Sequence, residues 1–257
     1  MANRNIFRRH EYKYLLESPQ FDPLYARLQD HLSPDQYGRH TICTLYYDNE
    51  HDECANKQGS KTFFREKLRQ RSYGVPAKED IVYLELKKKL DGVTYKRRAA
   101  LPLPLAQDYL ARGILPQDAG QVLGEIDWFV KRVHPLPKTV ICYDRIALQD
   151  KEDPNLRITF DENIRFRCGE LDLTRGDHGR LLCAPGQVLM EIKITGPLPL
   201  WLARLLSQRE VYPSSFSKFR AAYESAAILA TAKNPAPAWP MVSVFSPGLL
   251  REGLHHA

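Results

Sequence analysis

The sequence predicts an α+β fold, in which an antiparallel β-barrel of about eight strands is covered by amphipathic helices. Three observations favour this fold class. Several segments alternate apolar and polar residues with the period of two that a half-buried strand requires. Asp91-Gly92 lies between two such segments and is a strong hairpin signal, which makes them antiparallel neighbours. Helical apolar stripes separate and follow the strands.

The clearest strand pattern is VYLELKKKL at residues 82–90. Its apolar face carries Val82, Leu84 and Leu86, and its other face carries Tyr83, Glu85, Lys87 and Lys89. Taken alone, this pattern is typical of a sheet with one solvated face. The functional question is whether the charged face contacts bulk water or a ligand.

Similar alternation recurs along the chain and brings the number of predicted strands to about eight. The other segments are HEYKYLL (10–16), TICTLYYD (41–48), KTFFREKLRQRSYG (61–74), GVTYKRRAAL (92–101), KTVICYDRIAL (138–148), LRITFDENIRFR (156–167) and VLMEIKIT (188–195). In the third segment four cations fall on one face, namely Arg65, Lys67, Arg69 and Arg71. Four cations in a row on one strand face is an unusual arrangement.

Helical stripes are predicted in DPLYARLQDHL, QVLGEIDWFVKRV, PLWLARLLSQRE and SKFRAAYESAAILATA. Their leucine and aromatic residues are predicted to belong to the core. We find no internal repeat and no linker, so residues 1–233 are expected to form a single catalytic domain. Residues 234–257 are proline-rich and are expected to form a tail that wraps the surface or is loosely ordered.

Composition limits the classes of protein to consider. The 257 residues are 43% hydrophobic and 26% charged, as in ordinary folded proteins. No run of about 18 apolar residues and no secretion-signal pattern occurs, which predicts a cytoplasmic protein without a membrane span. Five cysteines without a CxxC pair fit neither a disulfide framework nor a zinc site. The net charge of +6 indicates a polyanionic partner without identifying it.

Charged residues on otherwise apolar strands are candidates for the barrel interior. They are Glu11, Lys13, Arg69, Arg71, Glu85, Lys87, Arg145, Arg157, Glu191 and Lys193. If helices cover the apolar faces, these side chains point inward, and so many cations require a polyanion or interleaved carboxylates. A triphosphate fits that requirement. The alternative is an open sheet whose charged face is solvated.

Other polyanion-binding and catalytic classes lack their signatures. The sequence has no zinc-finger spacing, RRM-type signature or basic recognition helix, so no nucleic-acid partner is expected. It also has no P-loop, Rossmann glycine triplet or HExxH motif, which argues against an ordinary NTPase or zinc hydrolase.

An ordered set of short segments carries a family resemblance. The segments are RHEYKY, LYYDN, REKLRQRSYG, LELKKKLDGVTYKRR, CYDRIAL, LRITFD, LMEIKI and FSKFR. Each is weak alone, but in this order they resemble the VTC domain family. This family comprises the polyphosphate polymerase domain of the vacuolar transporter chaperone complex and its bacterial relatives, within the triphosphate tunnel metalloenzyme superfamily. The resemblance implies a tunnel of antiparallel strands, in agreement with the predicted barrel.

The resemblance also implies roles for individual residues. Phosphates would be held by Lys13, Arg69, Arg71, Lys87, Lys96 or its neighbour Arg97, Tyr143, Arg145, Arg157, Ser217 and Lys218, and strand alternation adds Lys193. Glu191 would bind Mn²⁺ or Mg²⁺, although a structural counter-charge is the alternative. Glu11 and Glu85 would either help to bind the metal or hold neighbouring cations in place.

The expected activity is that of an ATP-dependent polyphosphate polymerase, whose partners are ATP and inorganic polyphosphate. Arg9 stands where the related CYTH-type triphosphatases have the first glutamate of ExExK, and a more cationic tunnel favours polymerisation. Ser72 replaces an aromatic residue common in eukaryotic members, and the base contacts have no match. The alternatives are a tunnel-type triphosphatase and a non-catalytic polyphosphate-binding barrel. Coupling to transport would require a membrane partner protein.

Overall fold

The computed structural model describes residues 10–56, 63–91, 93–116 and 119–233. Arg9 and the expected tail at 234–257 lie outside these ranges. The described strands are β1 (His10–Leu16), β2 (Leu32–Pro34), β3 (His40–Asp48), β4 (Phe64–Tyr73), β5 (Ile81–Leu90), β6 (Val93–Pro102), β7 (Leu136–Asp150), β8 (Arg157–Arg167), β9 (Arg180–Leu181) and β10 (Val188–Ile194). The described helices are α1 (Ser18–Leu28), α2 (Glu53–Asn56), α3 (Leu103–Arg112), α4 (Gln121–Val133), α5 (Leu200–Gln208) and α6 (Lys218–Lys233).

The strands form one antiparallel sheet in the order β1-β10-β8-β7-β3-β4-β5-β6. The short strands β2 and β9 pair with β7 and β8. The sheet must curl strongly, since Glu11 of β1 lies 3.7 Å from Lys87 of β5 although five strands separate β1 from β5 in the sheet. The result is a half-barrel with helices, which confirms the predicted fold class.

The predicted hairpin joins β5 and β6. Leu90 pairs with Val93, and Asp91 has a φ of 43°, the left-handed conformation that tight hairpin turns use. This register places Lys87 opposite Lys96 and Glu85 opposite Arg98. Both pairs belong to the charged face that the alternation of β5 predicts.

Apolar residues on the convex face pack under helices in two clusters. In one cluster Leu84 and Leu86 pack with Ile126 and Phe129 of α4. In the other, Met190 and Ile192 of β10 pack with Leu24 of α1 and Leu202 of α5. The packing of two amphipathic helices against each half explains why these strand faces are apolar. The helix α3 was not predicted, because it begins at Leu103 directly after β6 ends at Pro102.

The helix α6 lies on the concave side of the sheet, which differs from the expectation that all helices cover the outside. Phe219 and Ala222 pack with Ile42, Ile141 and Tyr143. The inner face of β3 and β7 is apolar at this end, so it requires a cover of its own. None of the helices in the described ranges combines the length and apolar character needed to cross a membrane.

Candidate active site

A cavity of about 130 Å³ lies between the curled strands and the start of α6. Eight cationic side chains line it: Lys13, Lys67, Arg69, Arg71, Lys87, Arg145, Lys193 and Lys218. The rest of the lining is Glu11, Glu191, Tyr46, Tyr143, Ser217 and Phe219. The described elements therefore bring cations from β1, β4, β5, β7, β10 and α6 around one small volume.

Strand alternation places the two β4 arginines in the cavity. Arg69 and Arg71 line it, whereas Gln70 between them is buried on the convex side and accepts a hydrogen bond of 3.2 Å from the hydroxyl of Tyr47. Tyr47 belongs to the apolar cluster that packs under α3 and α4, and Gln70 borders this cluster. The register expected for this strand is the one observed.

Glu85 anchors one side of the cationic layer and is only 1% exposed. Its Oε2 atom lies 2.7 Å from both Nε and Nη2 of Arg69, and its Oε1 atom lies 2.6 Å from Lys96 and 2.9 Å from Arg98. Burial raises the pKa of this carboxyl, but the charges of Arg69, Arg71 and Lys96 outweigh burial and lower it. Glu85 therefore stays ionised and fixes the cations that surround it.

Asp161 anchors the opposite side. It is fully buried and accepts two parallel hydrogen bonds from Arg145, of 2.6 Å and 2.7 Å, while Lys218 lies 2.5 Å from its Oδ2 atom. Burial raises the pKa of Asp161, but the charges of Lys218 and Arg145 outweigh burial and lower the pKa below its ordinary value. Asp161 was not among the predicted site residues, although its position four residues after Arg157 on the same strand face was a usable signal.

Glu191 lies among cations from four elements. Its carboxylate is 3.5 Å from Lys193 and from Lys218, 3.6 Å from Lys13 and 4.0 Å from Arg145. Burial raises its pKa, but Lys218, Lys193 and Lys13 hold the pKa well below its ordinary range. Because these contacts are longer than those of Asp161, the oxygens of Glu191 are less tightly engaged.

Lys67 lines the cavity although it was not among the predicted site residues, since strand alternation placed it only on the cationic face of β4. Among the described residues no carboxylate lies within ion-pair distance of it, and its closest ring is Phe219 at 5.9 Å. Burial, followed by the like charges of Lys87 and Lys13, lowers the pKa of Lys67 to about 7. Its spacing of two residues from Arg69 was the available signal.

Two tyrosines hold the arginines from the side of β3 and β7. The hydroxyl of Tyr46 accepts a hydrogen bond from Arg69, and that of Tyr143 accepts one from Arg71, both of 3.2 Å. The Tyr143 ring also lies 4.6 Å from the ammonium of Lys218. Such contacts orient the donors of the arginines without neutralising them.

Comparison with known proteins identifies the family. The sequence matches the VTC domain over residues 8–227. The chain belongs to the VTC domain family. A comparison with curated proteins gives no match.

Solved structures with a similar fold include three described as adenylate cyclases. The putative adenylate cyclase of Bacillus halodurans is 13% identical, with 80% of this chain and 92% of that chain covered and a TM-score of 0.48. That of Vibrio parahaemolyticus is 12% identical, with 85% and 98% covered and a TM-score of 0.44. That of Hippeastrum, described as having a dominant triphosphatase activity, is 19% identical, with 84% and 95% covered and a TM-score of 0.49. All three scores are below 0.5, so the assignment depends on the VTC domain match.

Two of the residues that the resemblance implied lie away from the cavity of this VTC domain. Arg157 opens β8 opposite Lys193, but it is exposed and its guanidinium lies 2.8 Å from Asp35. Arg97 faces the convex side, where its Nε atom donates a 2.8 Å hydrogen bond to Glu125. Of the neighbours Lys96 and Arg97, Lys96 is the one on the concave side, because its ammonium lies 2.6 Å from Oε1 of Glu85.

The carboxylates of the VTC domain suit a metal only together with a substrate. Within the described ranges no group of three or more Asp, Glu, His or Cys side chains could hold an ion by itself. Glu191 and Glu11 both lie 3.6 Å from the ammonium of Lys13 and both line the cavity. One or two carboxylates completed by phosphate oxygens and water is a usual donor set for Mg²⁺. Glu85 does not fit this role, because its oxygens already contact four cations.

Proposed function

We propose that this VTC-domain protein is a metal-dependent polyphosphate polymerase that transfers the γ-phosphate of ATP to a growing polyphosphate chain. The observation that carries the proposal is the lining of the cavity, to which the described residues contribute eight cations and two carboxylates. A cationic layer of this kind is costly unless an anion with several charges compensates it. As a member of its family, the chain is a tunnel-type protein that handles triphosphates.

The triphosphate would be bound by residues that are already held in place. Arg69 is fixed by Glu85, and Arg145 and Lys218 are fixed by Asp161, so binding requires little reordering of these side chains. The Nε atom of Arg71 is buried and has no hydrogen-bond partner among the described residues. A phosphate oxygen would satisfy this donor.

The acceptor would share with the triphosphate two cations that have little or no carboxylate compensation. Lys67 has no carboxylate partner in the described part of the chain, and Lys87 has only the 3.7 Å contact to Glu11. These lysines can neutralise a second anion, namely the end of a polyphosphate chain. This spare positive charge favours polymerisation over hydrolysis, in which the attacking water carries no charge.

Transfer would proceed by in-line attack of a terminal phosphate oxygen of the acceptor on the γ-phosphorus. A new phosphoanhydride bond forms, the bond from the γ-phosphorus to the β,γ-bridging oxygen breaks, and ADP leaves with that oxygen. The acceptor oxygen is already an anion, so no strong general base is needed. The side chains of the cavity contribute positioning and neutralisation of charge.

Glu191, with help from Glu11, would hold a divalent ion such as Mn²⁺ or Mg²⁺. When bound, the ion supplies charge neutralisation between phosphate oxygens. Lys13 lies between the two carboxylates, and its ammonium also donates a 2.9 Å hydrogen bond to the carbonyl oxygen of Phe216 just before α6. Lys13 thus compensates the charge of both carboxylates and ties β1 to the segment that leads into α6.

The proposal is tested by incubating the purified protein with ATP and Mn²⁺. A polymerase releases ADP, leaves little free phosphate and forms products that a polyacrylamide gel resolves as polyphosphate. A triphosphatase releases one free phosphate for each ADP and forms no polymer, and a non-catalytic binder releases no ADP. Either of the last two results would overturn the proposal.

The five cysteines are free, which fits the reducing cytoplasm in which we propose that the protein acts.

A further inference from the structure

Four aromatic rings continue the charged face of β4 and β5 beyond the cavity. Tyr73 and Tyr83 meet edge to face at 5.7 Å between ring centroids. His40 lies 6.0 Å from Tyr73, and Tyr37 lies 6.2 Å from His40. We call these four rings the rim aromatics. Tyr73 is 52% exposed, so part of its ring surface is available to a planar ligand.

Arg98 connects the rim aromatics with the wall of the cavity. Its Nε atom lies 2.9 Å from Glu85, and its Nη2 atom donates a 2.7 Å hydrogen bond to the hydroxyl of Tyr73. Its guanidinium carbon lies 3.9 Å from the centroid of the Tyr83 ring. The orientation of both tyrosines is therefore fixed relative to a buried carboxylate that also holds Arg69.

The spacing between rings and charges matches that of a nucleotide. Tyr83 and Glu85 are two residues apart on one face of β5, and Tyr73 and Arg71 are two residues apart on β4. Two residues of a strand span about 6.8 Å. This is close to the length of the ribose that separates a base from its α-phosphate.

We propose that Tyr73, together with Tyr83 and Arg98, forms a stacking site for the base of the nucleotide whose triphosphate occupies the cavity. This inference depends on the proposed function, because it requires the triphosphate to lie in the cavity. Stacking on an exposed tyrosine tolerates any base but favours the larger purine ring. A ligand without a base, such as inorganic tripolyphosphate, gains nothing from this site.

The test compares ATP and inorganic tripolyphosphate as ligands of the parent and the Tyr73→Leu variant, by calorimetry without divalent metal. Leucine keeps apolar bulk and removes the ring, so we expect ATP affinity to fall about 10-fold while tripolyphosphate affinity stays within twofold. Tyr73→Phe keeps the ring and loses only the Arg98 hydrogen bond, so its ATP affinity should stay close to that of the parent.

Tyr95→Leu is the matched control. Tyr95 is also an exposed strand tyrosine, but it pairs with Lys88, whose side chain lies against Trp128 of α4 on the convex side. This variant should bind both ligands as the parent does. Unchanged ATP affinity in Tyr73→Leu would overturn the base site, and so would an equal loss for both ligands. A parent protein that binds neither ligand would overturn the proposed function and the base site with it.

Discussion

Replacing Lys67 with methionine should make the protein more stable and its binding of triphosphate weaker. The cation is surrounded by Lys87 on β5, Lys13 on β1, Arg69 on its own strand and the Phe219 ring of α6. Its pKa is lowered from the ordinary value of 10.5 to about 7, first by burial and then by these like charges. A charge kept in such a place despite its cost is expected to serve ligand binding.

The sign of the pH dependence follows from the direction of this shift. The unfolded chain binds a proton at Lys67 up to about pH 10.5 and the folded chain only up to about 7, so stability without ligand rises with pH between these values. Lys67→Met removes the penalty, and its melting temperature at pH 6 to 7 should exceed that of the parent. Without ligand the folded protein favours neutral Lys67. A bound anion reverses this preference, because it attracts the protonated form.

Binding should therefore take up a proton and weaken as the pH rises. With Lys67 half protonated near pH 7, tripolyphosphate affinity of the parent should fall roughly 10- to 50-fold from pH 7 to pH 9. At pH 6 Lys67→Met should bind about 10- to 100-fold more weakly than the parent, the cost of one charge-assisted contact. Lys67→Arg stays charged, so most of the pH dependence should disappear in it.

Calorimetry at pH 6, 7, 8 and 9, in two buffers of different ionisation enthalpy, measures both the affinity and the proton uptake. Lys88→Met is the control, because Lys88 follows Lys87 on β5 but faces outward, 3.7 Å from Glu66. A parent protein whose affinity is constant from pH 6 to 9 and whose binding releases or takes up no proton would refute the reasoning. So would a Lys67→Met protein with unchanged affinity at pH 6.

Three further predictions concern the remaining charges. Arg69→Ala and Arg71→Ala should each weaken tripolyphosphate binding by about 1.5 to 3 kcal/mol, whereas Gln70→Ala should lower the melting temperature and leave affinity unchanged; equal losses of affinity in all three would contradict the observed register. Glu191→Gln should stay folded and bind tripolyphosphate more tightly without metal, while Mn²⁺-dependent ADP release falls at least about 10-fold; ADP release at the parental rate would remove the metal role. Arg157→Ala should leave tripolyphosphate affinity within twofold, as titration will show.

The parts of the site that could be predicted from the sequence follow from strand periodicity. Alternation along β4 and β5 correctly assigned Arg69, Arg71 and Lys87 to one face, because a strand has only two faces and the other is apolar. Lys67 shares that pattern, but periodicity does not indicate which of several aligned cations lacks a partner. That property depends on the carboxylates of other strands, which only the curled sheet brings close.

Residues at the ends of strands could not be assigned in this way. Arg157 has the same parity as Asp161, yet it is the first residue of β8 and contacts Asp35 outside the cavity. Strand alternation determines which face of the sheet a side chain lies on, but not whether it lies at the cavity or at the end of the strand. For the same reason the rim aromatics were not recognised as a group, since Tyr37 and His40 meet Tyr73 and Tyr83 only after β3 and β4 pair.

Two buried acids behind the cavity, Glu85 and Asp161, explain how the protein remains folded around so many cations without its ligand. Glu85 and Asp161 each contact at least two cations, and their pKa values are lowered despite burial, so both stay ionised at neutral pH. They lie behind the cationic layer, where they compensate its charge without occupying the cavity. Removing either acid would leave several cations unpaired in a partly buried site, at a cost of about 3 to 5 kcal/mol for a buried pair. The arginines and lysines are thus already oriented before an anion arrives, and binding energy is not spent on ordering them.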